Sequence, residues 1–247
     1  MSKLAIIGGT GLSKLVNLEK VYKRVIKTPY GEPSSPLTFG TFGGKEVIFM
    51  ARHGFGHTIP PHKINYQANM WALKEAGATE VLAIAAVGGI NKTISPSSIV
   101  IPDQLIDYTW GRCGTYFEDD LEQVTHIDFT FPYSKDLRER LRQLVGRLGL
   151  SVSMTATYAC TQGPRLETAA EIKRLRGDGC DIVGMTGMPE AALARELNLA
   201  YACCAVVVNW AAGIDDQEIC MDDMQVYAEK GMQTVYRLLN ALAKAPE

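Results

Sequence analysis

The sequence predicts an α/β domain with a central sheet that is largely covered by helices. Three observations carry this. Short apolar runs at Leu4–Ile7, Val47–Met50, Val81–Val87, Ile99–Ile101 and Leu199–Val208 alternate with stretches of helical periodicity. The chain has 247 residues, 47% of them hydrophobic, enough to bury a sizeable core in one large domain or two small ones. No repeat, low-complexity tract or long linker divides it, and the Gly/Pro/Ser stretch from Tyr30 to Pro36 has the length of an ordinary surface loop. One domain over 1–247 is therefore expected.

The elements follow from local signals. Leu4–Ile7 runs into Gly8 and Gly9, a strand entering a turn. A helix is expected from about Pro61 to Glu75, stopping at Gly77. Leu137, Leu141, Leu144 and Leu148 fall on one helical face behind Ser134 as N-cap. Thr168 and Glu171 have capping-box spacing, Pro189 suits the first turn of a helix ending near Asn198, and a last helix starts at about Asp222.

Composition excludes several function classes. With 25 Lys+Arg against 27 Asp+Glu, a formal net charge of -2 and no basic cluster, the chain lacks the electrostatic footprint of a nucleic-acid binder or an anionic-membrane binder. Its longest apolar run, Leu199–Val208, is far short of the roughly 18 residues of a membrane span. The Leu4–Ile7 run is too brief for a signal-peptide core, so the expected location is the cytoplasm. The six cysteines form no CxxC pair and the four histidines have no zinc-finger spacing to them, so neither disulfides nor structural zinc are expected; Cys203 and Cys204 read as buried strand residues.

Four segments carry chemistry, each with a plainer alternative. Gly8-Gly9-Thr10-Gly11 is either a cradle whose backbone N–H groups approach a phosphate or a tight turn; Lys14 stands where the dinucleotide fingerprint has its third glycine, and no Walker Lys-Ser/Thr pair follows. Arg52-His53 ends a strand and is either an oxyanion clamp or an ion-paired arginine beside a structural histidine; His57 and His62 lie near, but no carboxylate joins them at metal-ligand spacing. Met185 and Met188 either present a soft apolar surface to a ligand or fill core, with the Thr186 hydroxyl between them at a strand-to-helix turn. Asn209 ends an apolar strand, where α/β sheets bind ligands and where turn residues also terminate strands.

Taken together, Gly8 to Gly11, Arg52-His53, Gly163-Pro164-Arg165-Leu166-Glu167-Thr168, Met185-Thr186-Gly187-Met188-Pro189-Glu190 and Asn209 resemble, in order, the trimeric purine nucleoside phosphorylase and methylthioadenosine phosphorylase family. The resemblance covers nearly the whole chain. It implies a mixed, twisted central sheet and a reaction in which phosphate attacks the anomeric carbon of a nucleoside, releasing purine and a pentose 1-phosphate without metal or organic cofactor. Inorganic phosphate is then a co-substrate. Carried over by motif, Thr10, Arg52, His53, the Ala86 backbone and Thr186 would hold phosphate and Met185 would lie beneath the ribose. The segment around His126 would reach a neighbouring subunit's site, which implies a homotrimer.

Side-chain chemistry then bears on the substrate. An ionised Asp offers only acceptors, whereas Asn also offers a donor NH2. Adenine-specific relatives have Asp where this chain has Asn209, and a second Asp where it has Ala211, so a 6-oxopurine is expected. Glu167 suits the same base, because its carboxylate accepts the N1–H of hypoxanthine and would face the bare N1 of adenine; a helix-start Glu also simply favours the helix dipole. Relatives acting on ordinary nucleosides place a histidine near the 5'-hydroxyl, aligned here to Met221, with Met224 as the second candidate; methionine packs on a methylthio group instead. The expected reaction is phosphorolysis of S-methyl-5'-thioinosine to hypoxanthine and 5-methylthioribose 1-phosphate, with inosine or guanosine as the alternative substrate. Ala85 replaces a polar residue found in many relatives, and Trp210 either shapes the pocket or only packs.

Overall fold

A computed structural model describes residues 3–9, 12, 18–118 and 123–245. Eleven strands of the described residues join one mixed sheet. In chain order they are β1 (Leu4–Gly8), β2 (Glu19–Arg24), β3 (Leu37–Phe42), β4 (Lys45–Ala51), β5 (Glu80–Gly89), β6 (Ile99–Val100), β7 (Gln104–Asp107), β8 (Val152–Ser153), β9 (Thr157–Cys160), β10 (Ile182–Gly184) and β11 (Ala200–Trp210). The main path runs β2-β3-β4-β1-β5-β10-β9-β7; β11 pairs with β5 and β6, and β6 with β8. The five apolar runs of the sequence are β1, β4, β5, β6 and β11.

Alternation along these strands divides the core in two, because successive strand side chains point to opposite faces. Val81, Ala83, Ala85 and Val87 of β5, with Cys203, Ala205 and Val207 of β11, join one cluster. Leu82 and Ile84, with Ala202, Cys204, Val206 and Val208, join the other. Helices α1 (Tyr66–Glu75) and α4 (Glu190–Glu196) cover the first face; α2 (Lys135–Leu148) and α5 (Met221–Lys244) cover the second. α3 (Ala169–Gly177) packs Ile172 and Leu175 into a third, smaller cluster.

The caps behave as their residue types dictate. Ser134 accepts from the Leu137 N–H, and Thr168 with Glu171 closes a full capping box. Two expectations need correction. The helix expected from Pro61 is split into a 3-10 turn, Pro61–Lys63, and α1, because the Asn65 side chain accepts from the Ala68 N–H and caps a new start there. The stretch from Tyr30 to Pro36 is more than a surface loop: the buried Ser35 hydroxyl accepts from the Ala51 N–H, and Ser34 exchanges two hydrogen bonds with Asn69 of α1. It braces the end of β4, one residue before Arg52. Among the described residues no helix is long and apolar enough to cross a membrane.

Candidate active site

The site begins with a fork in β5. One edge of β5 pairs with β11 over nearly its whole length, so the other edge must serve both β1, at Glu80–Ala83, and β10, at Gly88 and Val183. Between those pairings, residues 84 to 87 face a gap at the carboxyl end of β1, the crevice where open α/β sheets hold ligands. Arg52 enters it and donates from Nη1 to the Ile84 carbonyl, 3.0 Å away. Ala86, two residues on, presents its backbone on the same edge. Gly9 is required here by close approach: a Cβ would lie 2.6 Å from the Ile84 carbonyl oxygen and 2.9 Å from Arg52 Nη1.

Arg52 is in neither a surface ion pair nor an open clamp. Its side chain is 1% exposed and meets the equally buried Glu190 through two parallel bonds, Nε to Oε2 at 2.7 Å and Nη2 to Oε1 at 2.8 Å. Tyr201 also donates to Glu190, at 2.8 Å. Burial opposes the charge of Arg52, but the Glu190 carboxylate outweighs it and holds the guanidinium protonated. Three of its five N–H groups are committed to protein, leaving two for a ligand.

Burial, and secondly the neighbouring Arg52 charge, push the His53 imidazole down to about 4. It is neutral at pH 7. Nδ1 donates to the Ile59 carbonyl at 2.8 Å, so Nε2 is the ring's acceptor. Among the described residues no group of three or more His, Cys, Asp and Glu is arranged to hold a metal.

The segment after β10 supplies the next wall. Met185 and the buried Thr186 line a cleft of about 150 Å³ together with Gly9, Arg52, His53, Ala85, Ala86, Glu167, Asn209, Ala211, Ile219 and Met224. Met188 turns away and packs against the core, and its N–H donates to Cys160 Sγ at 3.1 Å. Thus of the two methionines one faces the cleft and one fills core.

Asn209 reaches the cleft through a bulge. Val207 pairs with Val87 and Asn209 with Gly88, so Val208 is an extra residue that changes the strand's phase. Val208, Asn209 and Ala211 consequently all line the cleft. Asn209 commits one amide N–H to the Trp210 carbonyl, keeping Oδ1 and a second N–H. Trp210 does not line the cleft; its ring packs over Gly89. Glu167 stands between two cavities with Oε1 accepting from the Thr161 hydroxyl at 2.6 Å. That bond fixes the position of the carboxyl group.

Of the remaining expected positions, one is not brought into this cleft, one was expected at a neighbouring subunit's site and one is not described. Met221 is 63% exposed and is not part of its lining, unlike Met224 one helical turn on; the first residue of α5 points outward. His126 lies in an exposed stretch outside the cleft. Thr10 lies outside the described residues. Conversely, Tyr201, Thr161 and Ile219 were not singled out in the sequence, and Glu190 stood there only as the end of a motif, with no role assigned. For Glu190 a signal was available: its helix is short and otherwise largely apolar, and an acidic residue on a buried face demands a cationic partner.

One cleft is thus lined by an arginine anchored on a buried carboxylate, a neutral histidine, a hydroxyl, a carboxylate and an amide, groups that can bind an anion and a polar heterocycle. The chain belongs to the phosphorylase superfamily, whose family model matches residues 3–244. A probable S-methyl-5'-thioinosine phosphorylase of Pseudomonas syringae pv. tomato is 54% identical, covering 98% of this chain and 100% of its own length. The 6-oxopurine nucleoside phosphorylase of Pyrococcus furiosus is 43% identical, over 98% of this chain and 92% of its own. Among solved structures, methylthioadenosine phosphorylase from Schistosoma mansoni in complex with adenine superposes with a TM-score of 0.92 at 32% identity, covering 98% of this chain and 91% of that one.

Proposed function

We propose that the protein catalyses phosphorolysis of S-methyl-5'-thioinosine, giving hypoxanthine and 5-methylthioribose 1-phosphate, with phosphate as co-substrate and no metal or organic cofactor. The observation that carries this is that Glu167 and Asn209 line the same cleft as Arg52, His53 and Thr186. Phosphate would sit against the two uncommitted Arg52 N–H groups, Thr186 and the Ala86 backbone, with its protonated oxygen on His53 Nε2; Thr10 is assigned to the same end by motif alone. A phosphate oxygen forms a bond to the anomeric carbon while the carbon–nitrogen bond breaks and its electron pair leaves with the base. Asn209 donates to the purine as that charge builds, and Glu167 accepts N1–H. Met185 supports the ribose.

Ile219 and Met224 line the cleft and are assigned to the 5' end, where they would favour methylthio over hydroxyl because neither replaces a hydroxyl's hydrogen bonds. The similarity to a 6-oxopurine nucleoside phosphorylase makes inosine the second substrate to test. A homotrimer is the proposed assembly, supported by Val124 and Phe131, large apolar residues on either side of His126 that expose 73% and 67% of their surface. The test is base release from methylthioinosine, inosine and methylthioadenosine, with and without phosphate. Phosphate-dependent hypoxanthine release, fastest from methylthioinosine, is expected; adenine release as the main activity overturns the base assignment.

A further inference from the structure

We propose that Arg112 is a positioning residue that fixes the phosphate-side loop relative to the base-side loop, an inference that rests on the phosphorolytic reading of the cleft. Its guanidinium touches neither end directly and lines no part of the cleft. No carboxylate among the described residues forms a salt bridge with it. Instead all five N–H groups go to acceptors on the two loops and their support. Nη1 shares its two N–H groups among three acceptors, the carbonyls of Met185, at 2.9 Å, and Met188, and the Tyr66 hydroxyl; Nη2 donates to the carbonyls of Thr161 and Gln162, and Nε to the Gln162 side chain.

The acceptors on one nitrogen thus flank Thr186, and those on the other include Thr161, whose hydroxyl holds Glu167. The loops are also in direct contact. Gly163 has φ +62°, and a Cβ there would lie 2.4 Å from Met185 Sδ, so the backbone must carry no side chain where it crosses the methionine. A planar fork can satisfy two carbonyl sets at once, whereas an ammonium is a single point and cannot. Displacement of either loop by a fraction of an ångström would be felt at both ends of the substrate.

The experiment compares the wild-type enzyme with Arg112→Lys, Arg112→Ala and Gln162→Ala, measuring thermal stability, KM for phosphate, and the ratio of kcat/KM for methylthioinosine to that for methylthioadenosine. The expected result for Arg112→Lys is a folded enzyme whose phosphate KM rises roughly tenfold while its preference for the 6-oxopurine falls by a similar factor. Added methylguanidinium should partly restore both in Arg112→Ala. Gln162→Ala, which removes one acceptor and keeps Arg112, should shift both in the same directions by less, and it decides the matter if the Arg112 variants do not fold. A folded Arg112→Lys enzyme with unchanged phosphate KM and base preference overturns the proposal, as does a loss confined to kcat that follows thermal stability. A wild-type enzyme that releases no base would instead overturn the phosphorolytic reading itself.

Discussion

The two ends of the cleft are built on different terms. At the end proposed for phosphate, Arg52 and Tyr201 are sealed in the core and both bonded to the buried Glu190, and each would be an uncompensated buried polar group without its partner. At the end proposed for the base and the 5' group, Glu167, Asn209, Ile219 and Met224 are half-buried, and Glu167 and Asn209 each make a single side-chain hydrogen bond. The first end couples ligand binding to the integrity of the fold. The second can be retuned with little consequence for it.

That contrast can be broken most directly at Glu190. Glu190→Gln keeps the shape but strands the Arg52 charge in the core, and should cost about 3–5 kcal/mol of stability together with most phosphate-dependent turnover, read by denaturant melts and phosphate KM. A small loss in both would mean that the ion pair is dispensable. Next comes His53. Its folded-state value of about 4 lies below the ordinary 6.5, so unfolding takes up a proton between those limits. Stability should be fully present above about pH 6.5 and fall by about 3 kcal/mol as pH drops to 4. His53→Asn should flatten that part of the pH–stability curve.

At the other end, effects should appear in preference and not in melting. Asn209→Asp removes the donor and should lower kcat/KM for methylthioinosine by a factor on the order of 10 to 100, equivalent to about 1–3 kcal/mol, with melting changed little. The smallest effect is at the 5' end. Met224→His should raise inosine relative to methylthioinosine by no more than about tenfold, since burying a methyl-sized group contributes on the order of 1 kcal/mol. Met221→His should change nothing, and a response there equal to that of Met224 would mean that α5 begins differently in the assembled enzyme.

Much of this was readable in the chain, and the boundary has physical causes. Apolar runs located β1, β4, β5, β6 and β11 because strands buried on both faces have no polar alternation to obscure them. β2, all six residues of which are exposed, escaped because an edge strand of charged residues has no such run. Arg52, His53, Met185, Thr186, Glu167 and Asn209 were visible as motifs that the fold brings to one cleft. The bulge at Val208 was not, since nothing in an unbroken apolar run marks where its pairing slips by one residue. The Arg52–Glu190 pair spans 138 positions, so the partner of a recognised arginine could be known only from the fold. Met221 and Met224 show a finer limit: both sit near the start of α5, and only the orientation of that helix separates them.

The pairing of Arg52 with Glu190 also bears on how the anion arrives. Their opposite charges cancel within the protein and His53 carries none, while the acidic Glu167 lines the same cleft. An approaching phosphate therefore meets no net attractive field from these groups, on a chain whose overall charge is already -2. Capture depends on short, directed N–H contacts made after encounter, not on long-range steering. Ionic strength, which screens distant charges and leaves desolvated contacts nearly untouched, should barely alter the enzyme's appetite for phosphate.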